Sequence, residues 1–219
     1  MKKCKIYVNM KKIKMTSVKY SERSGIRHRR LTYFIPFCAI SMEKLYDLYV
    51  KSYSLNAENA PEFFHAVGDI YATPEFQSTG RFIQHANITL KQHMMSVAYL
   101  SYLITKKKNL DHISAARAAM VHDLVYYDWH EAGDGTHRLH GYRHPGFALK
   151  NAEKIFPLSP LQKNIIHRHM WPLTPIPPKY RESWCVCLAD KYCAVNEILI
   201  KKIPSYERKF KDDIKKART

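Results

Sequence analysis

The sequence lacks the features of a membrane-spanning, secreted or disulfide-rich protein. No stretch contains 18 or more consecutive apolar residues, which excludes a transmembrane helix. The basic and apolar residues 29–42 resemble a signal peptide only loosely, because the basic lead is too long, Pro36 interrupts the apolar part and no small-residue cleavage site follows. The five cysteines are odd in number and have no paired metal-ligand spacing; they stand at positions 4, 38, 185, 187 and 193. We therefore expect reduced thiols and a cytoplasmic protein.

Strand-like alternation of useful length and internal repeats are also missing. From Met42 to Ile200, apolar residues recur instead at steps of three and four, which is typical of amphipathic helices. The 219 residues, 46% apolar and 12% aromatic, are enough for one sizeable folded domain but not for two large ones. The sequence thus predicts an all-α fold, a single helical bundle.

Acidic residues are scarce at both ends of the chain. Lys and Arg number 36 against 19 acids, a net charge of +17, of which residues 1–41 carry +10 and residues 201–219 carry +5. Residues 42–200 carry only +2, which argues against a long groove that follows a nucleic-acid backbone. We predict a basic N-terminal arm at 1–41, a helical catalytic body at 42–200 and a basic C-terminal end at 201–219.

Capping residues and prolines predict several helix boundaries. Thr89 is expected to cap the helix that carries His93, Asp111 to start the next helix, whose alanines suit a central position, and Ser159-Pro160 to begin another. Pro145 is expected to open a helix of its own, after a polar loop at 128–143 that would cover the substrate. Residues 82–87 are predicted to lead into a loop, and 182–200 to form a long helix.

Ten of the twelve histidines lie between His85 and His169, and one of them stands beside an aspartate. His122-Asp123 ends the alanine-rich helical pattern at 118–124, where two adjacent side chains can lean into one cavity. Single candidates follow in other helical patterns, so that the chain reads His93, His122-Asp123, His144, His169, Asp190. Divalent transition ions accept neutral imidazole and carboxylate ligands together. The order therefore predicts a metal site.

In this order of residues the chain resembles the HD superfamily of metal-dependent phosphohydrolases, over roughly residues 70–200. Local segments resemble one bacterial branch of small HD hydrolases; they are Phe82-Ile-Gln-His85, Ser96-Val-Ala-Tyr99, His169-Met-Trp-Pro-Leu and Ala189-Asp-Lys191. The resemblance implies that His93, His122, Asp123 and Asp190 hold a first divalent ion. It implies that His144 and His169 hold a second, with Asp123 bridging. The expected cofactor is one or two ions among Fe, Mn, Co, Ni, Zn and Mg, which would activate a hydroxide for attack on phosphorus.

Other polar residues near these positions are candidates for substrate contact or ligand support. Besides Asp123, we assign catalytic roles to Arg143, which could grip a phosphate oxygen, and Lys191, which could reach the phosphate or pair with a carboxylate. His137 and His140 are candidate proton donors, and Glu197, seven residues after Asp190, a candidate partner for a ligand histidine. His167 competes with His169, since two positions on a helix point about 200° apart.

The leading interpretation is an HD-type phosphomonoesterase or phosphodiesterase acting on a small phosphorylated substrate, such as a nucleotide. The alternative is a nucleic-acid-binding protein or HD-type nuclease, with contacts through the basic ends. A third reading is a regulatory or scaffold protein that metal merely stabilises. The substrate, the oligomeric state and the role of residues 1–41 stay open at this stage.

Overall fold

The computed structural model describes residues 40–85, 87–127 and 140–218, with the side chains of His85 and His140 excepted. The predicted arm at 1–41 therefore lies almost entirely outside the described residues, and residues 128–139 of the predicted loop at 128–143, with His137, lie outside them too. The described residues belong to one compact unit. Within them, every helix is too short or too polar to cross a lipid bilayer.

The described part of the chain is all-α apart from one small hairpin, as the sequence predicted. Two strands, β1 (Ile83–His85) and β2 (Ile88–Thr89), pair antiparallel. The helices are α1 (Met42–Lys51), α2 (Pro61–Tyr71), α3 (Pro74–Ser78), α4 (Leu90–Lys107), α5 (His112–Met120), α6 (His140–Ile155), α7 (Pro160–Arg168), α8 (Arg181–Lys202) and α9 (Pro204–Arg218).

The predicted caps begin the helices that lead to the candidate ligands. Thr89 accepts a hydrogen bond from the Gln92 backbone N–H at the start of α4, and Asp111 accepts from Ser114 at the start of α5. Ser159 and Gln162 cap each other reciprocally at the start of α7. Each cap contributes about 1 kcal/mol to stability and fixes where its helix begins. These sequence predictions are confirmed.

Helix α4 is the central element, and it packs mainly on α5 and α8. Every residue of α4 from 93 to 102 is buried. The facing helix α5 presents Ala115, Ala116, Ala118 and Ala119, all fully buried, and their small side chains allow close approach to α4. This packing brings the start of α4, the end of α5 and the middle of α8 to one place.

Helix α9 packs on α1 and α8 at the end of the chain. The ring of Phe210, which is 4% exposed, stacks on Tyr49 at 5.6 Å and meets Tyr53 edge-on at 4.9 Å. The Tyr46 hydroxyl also donates to Asp213 at 3.1 Å. The basic C-terminal segment is thus attached to the bundle by an aromatic contact.

One local prediction was wrong. Pro145 does not open its helix, because α6 begins at His140 and contains the proline, so residues 140–143 of the predicted loop are helical. A proline removes only one helix hydrogen bond, here to the carbonyl of Gly141, and the helix tolerates this loss near its start. Asn87, where a loop was expected, lies in a turn; the strands on either side were not predicted, because strands of three and two residues are too short to show an alternating pattern.

Candidate metal centre

Six buried residues from five places in the fold meet at the end of α5. His93 lies in the first turn of α4, and His122 and Asp123 lie in the turn that follows α5. His144 comes from α6, His169 caps the C-terminal end of α7, and Asp190 lies in the middle of α8. None is more than 7% exposed. The structure therefore brings together all the residues expected to bind metal.

Asp123 lies at the centre of the group and faces two sets of histidines. Its Oδ1 is 3.1 Å from Nε2 of His144 and 3.1 Å from Nε2 of His169. Its Oδ2 is 3.5 Å from Nε2 of His122 and 3.8 Å from Nε2 of His93. Asp190 adds Oδ1 at 3.2 Å from His93 and 3.7 Å from His122. Each set of histidines thus lies next to a different oxygen of the Asp123 carboxylate.

The candidate ligand atoms form three overlapping groups, each with all its atoms within 4.8 Å of one another. Two groups match the expected division, His93 with His122 and Asp123, and Asp123 with His144 and His169. The third joins His122, His169 and Asp190 across that division. The six residues are therefore one connected cluster rather than two separate sites. By contrast, His167 is exposed on α7.

The hydrogen bonds of three histidines leave a lone pair directed at the cluster. Nδ1 of His122 lies 2.8 Å from the carbonyl oxygen of Ala119, and Nδ1 of His169 lies 2.7 Å from that of Ile166. A carbonyl oxygen only accepts, so each Nδ1 carries the proton. Nδ1 of His93 likewise lies 3.0 Å from both oxygens of Glu197. Each neutral ring then presents an unprotonated Nε2, which is the form that binds a metal.

Buried atoms without hydrogen bonds test whether the site fits a cation. Among the described residues, Nε2 of His122 and Oδ1 of Asp123 are buried and have no hydrogen-bond partner. Nε2 of His144 and Nε2 of His169 lie 3.1 Å from Oδ1, but without hydrogen-bond angles. Buried polar atoms left unsatisfied cost roughly 1 to 3 kcal/mol each. A divalent ion would satisfy both atoms, and the imidazole and carboxylate donors suit a transition metal.

A sequence model of the HD domain matches residues 90–195, a segment that contains all six residues of the cluster. Residues 90–195 are an HD domain. HD domains use divalent metal ions to hydrolyse phosphoesters, so the family indicates a metal-dependent hydrolase here as well. No curated protein and no solved structure gives a significant match to the chain.

The two carboxylates of the cluster, Asp123 and Asp190, are ionised despite their burial. Burial alone would raise the pKa of Asp123, but His122 and His144 outweigh it and hold that pKa well below the usual range. The pKa of Asp190 is held low against burial by His122 and His93. For His93, burial would lower the pKa, yet Glu197 and Asp190 raise it well above its usual value. Without metal, His93 thus keeps a second proton, on Nε2, which a bound metal ion would replace.

Two further buried residues form hydrogen bonds with candidate ligands. Glu197 is completely buried on α8 and accepts from His93, in agreement with its spacing from Asp190. Gln84 on β1 donates its amide N–H to Oδ2 of Asp123 at 2.8 Å. Nothing in the sequence distinguishes Gln84 as a contact of Asp123, although it lies in the HD-like segment Phe82–His85. No periodic pattern could have related residues 39 positions apart.

The two cationic residues expected to contact substrate occupy different environments. Lys191 donates to the carbonyl oxygen of His169 at 2.6 Å and lies 3.5 Å from Oδ2 of Asp190. Cys187 donates to the same carbonyl at 3.1 Å, and burial raises the pKa of its thiol to about 11, which keeps it protonated. Arg143 is exposed on α6, with its guanidinium 5.6 Å from the ring of Phe147.

Proposed function

We propose that this protein hydrolyses a phosphoester of a small phosphorylated metabolite, such as a nucleotide, with two divalent ions held in the cluster. The observation that carries the proposal is the division of the Asp123 carboxylate between two sets of histidines, at 3.1 Å on one side and at 3.5 and 3.8 Å on the other. A carboxylate between two sets of ligands can hold two ions close together, which is the arrangement of a two-metal hydrolytic site.

The residues divide between the two ions according to their distances from Asp123. His93, His122, Asp123 and Asp190 would hold one ion, and Asp123, His144 and His169 the other. Bound divalent ions would supply Lewis acidity toward phosphoryl oxygens and lower the pKa of a coordinated water. The protein residues fix the positions of these donors and keep bulk water away, since all six are buried.

The charge of the site also favours two ions. Asp123, Asp190 and Glu197 are buried carboxylates, which together carry three negative charges when ionised. The ammonium of Lys191 beside Asp190 offsets one of these charges. One divalent ion would then leave the centre neutral, whereas two divalent ions would leave it with two net positive charges, which attract an anionic substrate.

Arg143 and Lys191 are the side chains that we assign to the phosphoryl group. Arg143 is exposed, and its planar guanidinium is able to donate two parallel hydrogen bonds to phosphate oxygens. The ammonium of Lys191 has three N–H donors; two are directed at the carbonyl of His169 and at Oδ2 of Asp190, and the side chain is 35% exposed. The third donor of Lys191 can therefore point to a substrate beside Asp190.

The proposed organisation keeps the chemistry in residues 42–200 and leaves the basic segments outside it. In α9, Lys209 pairs with Asp213 and Lys211 pairs with Glu207, so part of its positive charge is neutralised locally. This pairing favours a small substrate over a nucleic acid. We also place the protein in the cytoplasm, because Cys185, Cys187 and Cys193 are free thiols.

The direct test is hydrolysis by protein stripped of metal with a chelator and reconstituted with Mn²⁺, Co²⁺, Ni²⁺, Zn²⁺, Fe²⁺ or Mg²⁺. The substrates should include a p-nitrophenyl monoester, the corresponding diester, nucleoside monophosphates and cyclic nucleotides. We expect phosphate or phosphomonoester release that requires metal and disappears in Asp123→Asn while helicity by circular dichroism is retained. Equal rates in wild type and Asp123→Asn, or no hydrolysis with any ion, would contradict the proposal.

A further inference from the structure

Gln84 is a buried glutamine whose amide contacts the central carboxylate of the cluster. Its side chain belongs to β1, the residue is 8% exposed, and Nε2 lies 2.8 Å from Oδ2 of Asp123. The Gln84 atom in this contact is the amide nitrogen, which carries only donors, and the Asp123 atom is a carboxylate oxygen, which accepts. Gln84 must therefore be the donor, through its amide N–H.

The hairpin that carries Gln84 is fixed to the elements that carry the ligands. Strand β1 packs on α4 and α8, and β2 packs on α4. The backbone N–H of Leu90, the first residue of α4, donates to the carbonyl of Phe82 at 2.8 Å. The amide of Gln84 is thereby held at a fixed place relative to His93 and Asp190, which lie on the same two helices.

Asp123 needs such a contact because its own backbone does not determine how its carboxylate turns. It lies in the turn after α5 rather than within a helix, and the terminal torsion of an aspartate is broad. Each carboxylate oxygen has two lone-pair directions. Gln84 occupies one direction on Oδ2, which leaves the other directed toward His93 and His122 and leaves Oδ1 beside His144 and His169.

We propose that Gln84 is a positioning residue that orients the Asp123 carboxylate so that each set of histidines receives one oxygen. The proposal rests on the metal site of the proposed function. It also predicts an asymmetry between the two ions. If Asp123 turns away, the ion beside His93 and His122 keeps both histidines and Asp190 as ligands. The ion beside His144 and His169 keeps only those two histidines.

Removal of the amide should therefore weaken the second ion selectively. In Gln84→Met, which keeps the length and apolar bulk of the side chain but has no donor, we expect the Kd of the weaker Mn²⁺ site to rise 10- to 100-fold. The Kd of the tighter site should change by less than about threefold, because three of its four ligands are untouched. Isothermal titration of metal-free protein with Mn²⁺ measures both values.

A matched control and a second variant keep this test decisive. Gln92→Met changes a half-buried glutamine next to His93 whose amide donates to Ser52 and Ser96 instead, so both Mn²⁺ sites should match wild type. Gln84→Asn retains an amide that falls one methylene short of Asp123, and it should repeat the selective loss if Gln84→Met does not fold. Electron paramagnetic resonance at one and two equivalents of Mn²⁺ gives an independent readout, since coupled ion pairs and single ions differ in their spectra.

The outcomes separate this role from the proposed function. Wild-type protein that binds two Mn²⁺ ions while folded Gln84→Met and Gln84→Asn bind both equally well would overturn the role of Gln84 alone. Equal weakening of both ions in these variants would also overturn it, because it would indicate a merely structural residue. Wild-type protein that binds fewer than two ions would contradict the two-ion site and this role together.

Discussion

Replacement of Glu197 by glutamine should weaken metal binding without disturbing the fold. Glu197 is completely buried, and both of its oxygens lie 3.0 Å from Nδ1 of His93. Glutamine has the same shape and still offers a carbonyl oxygen to the Nδ1 proton of His93. The orientation of the imidazole is therefore preserved, and the change removes only the negative charge behind it.

The distances give the size of the effect. An ion bonded to Nε2 of His93 at about 2 Å would lie about 7 Å from the Glu197 carboxylate, across the imidazole ring. A unit charge and a divalent ion at that separation attract by about 5 kcal/mol at an effective dielectric of about 20, which is an upper bound. Contacts of this type are typically worth 10- to 100-fold in affinity, or about 1.4 to 2.8 kcal/mol. We expect a value near 100-fold, because a fully buried carboxylate is little screened by solvent.

Competition with a chromogenic chelator, using Zn²⁺ on metal-free protein, measures this affinity. Glu182→Gln is the control, since Glu182 lies on the same helix two turns before Asp190 and accepts from the backbone N–H of Asp111 instead. Its Kd for Zn²⁺ should match wild type. A folded Glu197→Gln variant with the wild-type Kd would refute the reasoning that the Glu197 charge supports His93 as a ligand.

Three further predictions follow from the same contacts. In metal-free protein, the raised pKa of His93 gives stability that is complete below its unfolded value of about 6.5 and is lost as pH rises through the folded value. The site carboxylates have lowered pKa values, so their contribution to stability is complete above about pH 3.9 and stays constant near neutral pH. The melting temperature of metal-free protein should therefore fall as pH rises above about 6.5, and Zn²⁺ should reverse the fall. A melting temperature that stays constant from about pH 6 to 9 would contradict this. Arg143→Ala should raise KM for the phosphoester about tenfold with kcat nearly unchanged, and an unaltered KM would remove Arg143 from the substrate site. Lys191→Met should weaken the ion at His169 in a Mn²⁺ titration, whereas the wild-type affinity would mean that Cys187 alone suffices to hold that carbonyl.

The helices could be predicted because their signals are local. Thr89, Asp111 and Ser159 each accept from the backbone within three residues, so a short window of sequence contains the whole interaction. The buried alanines of α5 likewise reveal a close helix contact by composition. By contrast, the start of α6 at His140 could not be read from the sequence, because Pro145 is a helix-opening signal that the fold did not use.

The candidate site could be approached from the sequence through residue type and order, but not through contact. Imidazoles and carboxylates are rare in apolar helices, so their succession from His93 to Asp190 could be recognised as a candidate metal site. The contact of Gln84 with Asp123 is different, since a glutamine on a short strand has no distinctive pattern and its partner is 39 residues away. Lys191 is similar: its position beside Asp190 suggests a phosphate contact, whereas its bond to the carbonyl of His169 depends on how α7 and α8 pack.

The metal content of each chain tests the central claim most directly. Protein purified without chelator should be analysed for bound metals by elemental analysis, together with Asp123→Ala and His169→Ala. The two-ion site predicts two ions per wild-type chain, about one in His169→Ala and none in Asp123→Ala. Wild-type protein that contains no metal, and takes up none after incubation with each divalent ion, would contradict it.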